Sequence, residues 1–104
     1  MRFMITCRIP LEKGNESAKA ASLDSTIQSI MEELNPEAAY FSEIEGGRSG
    51  YIVVDMDDAS QISAIAETLF LGLGATIQVH RVMTPEELGQ ATPAIEQAAQ
   101  KKDG

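Results

Sequence analysis

Hydrophobic and polar residues alternate one for one at the start of the chain. Phe3, Ile5, Cys7 and Ile9 fall on one parity, and Arg2, Met4, Thr6 and Arg8 on the other. Period-two spacing predicts a strand with unlike faces. Pro10 and Gly14 break the pattern. From Asn15 the spacing changes to threes and fours, through Ala20, Leu23, Ile27, Ile30, Met31 and Leu34. That predicts one helix, capped at Asn15 or Ser17 and ended by Asn35-Pro36. Ala38 to Glu45 reads as a second strand and Gly46 to Gly50 as a glycine-rich turn. Tyr51 to Met56 is β-branched and apolar on both parities, as a central strand should be. The two strands and their turn form a hairpin.

The second half repeats the alternation of periods. Asp57 or Asp58 opens a helix, with Asp58 and Gln61 spaced as a capping box. Ile62, Ile65, Ala66 and Leu69 are its apolar stripe, and Gly72 and Gly74 end it. Ala75 to Met83 is a fourth strand, with Ile77, Val79 and Arg81 opposite in parity to Gln78, His80 and Val82. Thr84-Pro85-Glu86-Glu87 is a helix start, with a capping Thr and Pro at the first position. Gly89 predicts a break, and Thr92-Pro93 a restart that runs to Lys101-Lys102.

Strand, helix, strand, strand, helix, strand and a helical tail define an α+β chain. Right-handed crossovers order the strands 4-1-3-2, with the helices on one face. This is the ferredoxin-like βαββαβ arrangement. One domain is expected overall, with residues 1–83 as its body and 84–104 as a C-terminal helical extension. Phe3, Ile5, Cys7, Ile52, Val54, Ile77 and Val79 should face the helices. The other face carries Met4, Thr6, Arg8, Tyr51, Val53, Asp55, Gln78 and His80 and has no local cover. Met4, Tyr51 and Val53 make an apolar spot there, which monomers seldom leave in water. A homodimer joined through Met4, Thr6, Tyr51, Val53, Gln78 and His80 is the expectation.

Charge removes some partners. The 104 residues carry 16 acidic and 8 basic side chains, a formal charge of −8. Nucleic acid and anionic membrane surfaces, which need clustered Lys and Arg, are disfavoured. No apolar run approaches the roughly 20 residues of a membrane span. One cysteine permits no internal disulfide, and the early charge at Arg2 argues against a signal peptide, so a cytoplasmic location is expected.

Several segments resemble a known group. They are the opening Met-Arg-Phe-Met-Ile-Thr, Gly46-Gly47-Arg48-Ser49-Gly50 leading into Tyr-Ile-Val-Val-Asp, the Asp-Asp-Ala-Ser helix start, and Val79-His80-Arg81-Val82. Over residues 1 to 83 the chain looks like a family of small uncharacterised bacterial proteins placed with the dimeric α/β barrels. The resemblance implies two ferredoxin-like sheets packed face to face. That superfamily includes cofactor-free monooxygenases, lactone isomerases, haem-degrading enzymes and ligand-sensing domains. It therefore speaks for fold and dimer more than for activity. No catalytic motif of those enzymes is matched here.

Candidate chemistry is sparse. His80 is the one histidine, the residue type suited to general-base work at neutral pH, so it is the weak catalytic candidate. An interface histidine with a structural hydrogen bond is the reading favoured over it. Arg8, Tyr51, His80 and Arg48 are the candidates for holding a ligand, Arg48 from a flexible glycine turn. Asp55-Met56-Asp57-Asp58 mimics the aspartate motif of phosphotransfer hydrolases. A strand end followed by a helix cap accounts for it in a chain too short for that fold. Leu71-Gly72-Leu73-Gly74 follows a helix and is no phosphate loop. A single His and a lone Cys7 give no metal ligand set, and no cofactor is expected. The leading expectation is a homodimeric module binding a small organic ligand between sheet and helices. The alternatives are a cofactor-independent monooxygenase- or isomerase-like enzyme, or an acidic regulatory subunit.

Overall fold

The computed structural model describes residues 1–103, and side chains as far as Lys101, so Gly104 of the expected extension lies outside it. Its elements are β1 (Arg2–Ile9), α1 (Leu11–Lys19), α2 (Leu23–Leu34), β2 (Ala38–Ile44), β3 (Gly47–Asp55), α3 (Ser60–Leu73), β4 (Thr76–Arg81) and α4 (Pro85–Asp103). The four strands form one antiparallel sheet in the order β2-β3-β1-β4, and the fold is ferredoxin-like. Ile5 lies opposite Ile52 on β3 and Val79 on β4. That row meets α2 at Ile30 and α3 at Leu69 and Leu73 in one buried cluster.

Local chemistry explains the element ends. At α3 the Gln61 side-chain oxygen accepts the backbone N–H groups of Asp57 and Asp58, while the Asp58 carboxylate accepts that of Ser60. This holds the Asp58 carboxyl below its ordinary range, chiefly through the Ser60 backbone bond. Gly74 closes α3 in the left-handed region. At α4 the expected capping box is present. Thr84 N–H donates to Glu87 Oε1 (2.8 Å), and Glu87 N–H to Thr84 Oγ1 (3.1 Å).

Three readings of the sequence need correction. The first helical stretch is two helices. Its chain turns at Ala20–Ser22, where Ala21 takes a φ of 56°, and Gly14 lies inside α1 against Arg48 instead of ending the strand's exit loop. The hairpin turn is Glu45-Gly46 alone, both left-handed, so β3 begins at Gly47 and not at Tyr51. Positive φ at both central residues is the two-residue turn whose twist suits paired strands. Lastly, α4 runs unbroken through Gly89 and Pro93. Thr92 Oγ1 donates to Leu88 O beside the proline, so a local side chain engages the backbone there.

Candidate ligand and partner face

The register sorts the sheet's bare face into three rows of four, read from β2 through β3 and β1 to β4. The first is Ser42, Ser49, Arg8, Thr76. The second is Tyr40, Tyr51, Thr6, Gln78. The third is Ala38, Val53, Met4, His80. Hydroxyls and a guanidinium in the first row give way to two tyrosines in the second and to Ala38, Val53 and Met4 in the third, with His80 at its β4 end. Parity fixes this: each strand's other set of residues is taken up by the helices. Tyr40 is 69% exposed, and Met4 and Val53 are half-buried by their neighbours in the sheet.

Between the first two rows lies a hollow of about 270 Å³, lined by Thr6, Arg8, Ile44, Ser49, Tyr51, Thr76 and Gln78 over Cys7 and Ile77. Ser49 is its buried polar member, 5% exposed. Arg8 bends along the hairpin, donating to Glu45 Oε2 (3.0 Å) and to the carbonyls of Ile44 and Glu45 (both 3.3 Å). Gly47 leaves room for it, since a Cβ there would come within 3.2 Å of Arg8 Nη2. The hollow sits near the lower end of small-molecule pocket sizes, roughly 300 Å³. It offers hydroxyl, amide and guanidinium groups, the chemistry to orient a small oxygenated molecule.

The expected candidates do not all converge. Tyr51 and Arg8 share the hollow. His80 lies beyond it, across from Met4, while Arg8 faces Thr76. Four residues of strand separate the two, about 13 Å. Arg48 has the parity of Ile52 and stands on the helix side. There it donates to Asn15 Oδ1 (3.1 Å), so it is fixed in β3 instead of swinging in a turn. Arg8, Tyr51 and His80 stand on the bare face, not between sheet and helices. A separate hollow of about 260 Å³ does open at the edge of that layer, between α2 and α3 beside Glu33, Met56, Gln61 and Thr68. Cys7 is 1% exposed, and burial pushes its thiol up, which keeps it protonated. Ser49, Thr76 and Ile44 were missed. Extending the parity of Tyr51 and Gln78 by two residues would have found the first two.

A second cluster closes the far end of the face. Arg2 rises there, donating to Glu37 through Nε (2.9 Å) and Nη2 (2.8 Å), while its Nη1 meets Glu87 of α4. The carboxylates, Glu37 first, hold this guanidinium still more firmly in its charged form. Glu87 is held below its ordinary range, chiefly by the Thr84 N–H and further by Arg2. Among the described residues no three His, Cys, Asp or Glu gather as a metal site, and no helix is long and apolar enough to cross a membrane.

The family described as "Domain of unknown function (DUF3303)" matches residues 1–96. The chain belongs to that family. No curated protein matches it. Among solved structures, this DUF3303 chain is similar to 5-chloro-2-hydroxyhydroquinone dehydrochlorinase (TftG) from Burkholderia phenoliruptrix, solved in complex with 2,5-dihydroxybenzoquinone. The TM-score is 0.64 at 11% identity, covering 83% of this chain and 97% of that one. A de novo designed protein, Ferredog-Diesel, aligns at 0.45 with 9% identity over 78% and 85%. At such identity the dehydrochlorinase supports the fold of the DUF3303 chain and nothing finer.

Proposed function

We propose that this protein is a homodimeric α/β-barrel module. Two copies close their bare sheet faces on each other and hold a small oxygenated organic molecule over the Thr6–Arg8–Tyr51 hollow. The working unit is residues 1–83, with 84–104 as an extension, in the cytoplasm of a bacterium. The observation that carries the reading is the apolar row Ala38–Val53–Met4, whose Val53 and Met4 sit on the two central strands, on the face opposite the buried Ile5–Ile52 row that packs on α2 and α3. Covering it removes apolar surface from water at about 25 cal/mol per Å². The shared fold with a dehydrochlorinase that holds a benzoquinone gives the ligand class its direction. Arg8, Tyr51, Thr6 and Gln78 are the ligand groups in this reading; Arg48 is not, and His80 serves the interface.

Sedimentation velocity tests the dimer. The unmodified protein is expected to run as a dimer at micromolar concentration. Val53→Asp should run as a folded monomer, because an unpaired carboxylate would be buried at the contact. A monomeric unmodified protein at high concentration ends the proposal. For the ligand, 2,5-dihydroxybenzoquinone is the first probe. It should shift the amide resonances of Thr6, Tyr51 and Gln78 and leave Ile30 and Leu69 unmoved.

A further inference from the structure

The last helix is built as though something lay beside it. Its 19 residues extend about 28 Å. They draw the molecule out to 62 Å, with a radius of gyration of 17.3 Å, against about 13 Å for a compact chain of this size. Every residue from Pro93 to Lys101 is exposed. Helices in proteins draw most of their stability from packing an amphipathic face, and this one has an apolar side. Leu88, Ala91, Ile95 and Ala98 follow spacings of three and four, with Thr92 and Ala99 beside them. Glu86, Gln90, Gln97 and Gln100 take the opposite side. At its base that side touches its own domain: Ala91 is half-buried near Met83 and Arg2. Further out it continues as Ile95, 53% exposed.

We infer that α4 is an arm whose Leu88–Ala91–Ile95–Ala98 side lies along a second copy of this chain, at the rim of the paired sheets. The inference rests on the proposed dimer and adds a contact to it. Two observations select this occupant. First, the helix is aimed from the bare-face side. Arg2, which stands on that face, grips Glu87 in the first turn of α4 while holding Glu37 beside β3. A partner on the face therefore lies on the side from which the arm departs. Second, the sheet alone makes a small interface. Four strands about 4.8 Å apart and about 26 Å long give a footprint of about 500 Å². A standard stable interface buries roughly 800 Å² on each side. Two arms, one from each copy, make up the difference.

The test uses the whole protein, as a mixture of methyl-labelled and unlabelled chains, and reads intermolecular NOEs. Ile95 and Ala98 methyls should show cross-peaks to the unlabelled copy, as should Val53. Ile95→Glu should raise the dimer dissociation constant about tenfold and leave the monomer folded, since Ile95 is exposed and outside the buried core. Cross-peaks at Val53 but none at Ile95 overturn the arm and leave the dimer. Purely intramolecular contacts at Ile95 overturn it too, as does an unchanged dissociation constant in the variant. A monomer without cross-peaks at either residue removes both proposals.

Discussion

The two faces of the one sheet are made from alternate residues of the same strands, yet they differ in what finishes them. On the helix side Ile5, Ile52 and Leu69 are completely buried within a single chain. On the bare side the neighbouring residues Met4 and Val53 pair with each other and stay partly exposed. One face is closed by folding and the other awaits assembly. Stability of the single chain should therefore live in the odd residues of β1 and the even residues of β3, and association in their neighbours.

Ile52→Ala against Val53→Asp is the sharpest way to break this comparison. The first should cost about 2–5 kcal/mol in denaturant unfolding, from lost burial and the cavity left behind. The second should leave monomer unfolding within about 1 kcal/mol of the parent, with its effect confined to association. Equal losses in the two variants would mean that the faces do not divide the work.

The glycines sharpen the same contrast at smaller amplitude. A Cβ on Gly50 meets Cys7 Sγ and Phe41 Cε1 at 3.0 Å on the helix side. Gly50→Ala is expected to lower stability by about 1–3 kcal/mol, as overpacking does. On the bare side Gly47→Ala meets only the far end of the Arg8 side chain, which is 44% exposed and can shift by a few tenths of an ångström, so calorimetry should find a smaller fall. The reverse order would place the rigid packing on the wrong face.

The smallest effect concerns the Glu87 hinge between face and arm. The folded protein depresses the Glu87 carboxyl from its ordinary 4.5, so it binds protons less readily than the unfolded chain. Its stabilising contribution is complete above about pH 4.5 and is lost as pH falls through the lower folded value. Resonances of Thr84–Leu88 should shift in that acid range, while those of the Ile5 row stay. Loosening of this turn at neutral pH would refute the assignment, and Glu87→Gln should remove the acid response.

Alternation made the sheet legible because a strand with one buried face must separate its residues by parity. Topology followed from the order of periods. What stayed hidden was decided by features that leave little mark in composition. Ala21 adopts left-handed backbone without being glycine, so Ala20-Ala21-Ser22 gives no sign of the break between α1 and α2. Glycines at 47 and 50 resemble turn residues, but they serve the strand by admitting Arg8 on one side and Phe41 on the other. That error cost Arg48 its correct face. Gly89 and Pro93 disfavour a helix locally, yet α4 continues through both. Of the ligand face, Thr6, Tyr51, Thr76 and Gln78 could be read from period two, whereas Ser49 needed the true start of β3.

Cys7 has a practical use. It is the chain's one sulfhydryl and sits at the floor of the sealed side. Reagents that attack thiolates cannot reach it until β1 and the helices part. Its alkylation rate in otherwise native buffer is thus a built-in clock for that opening. Run with and without a second copy bound, the same clock would time how far assembly on one side of the sheet slows breathing on the other.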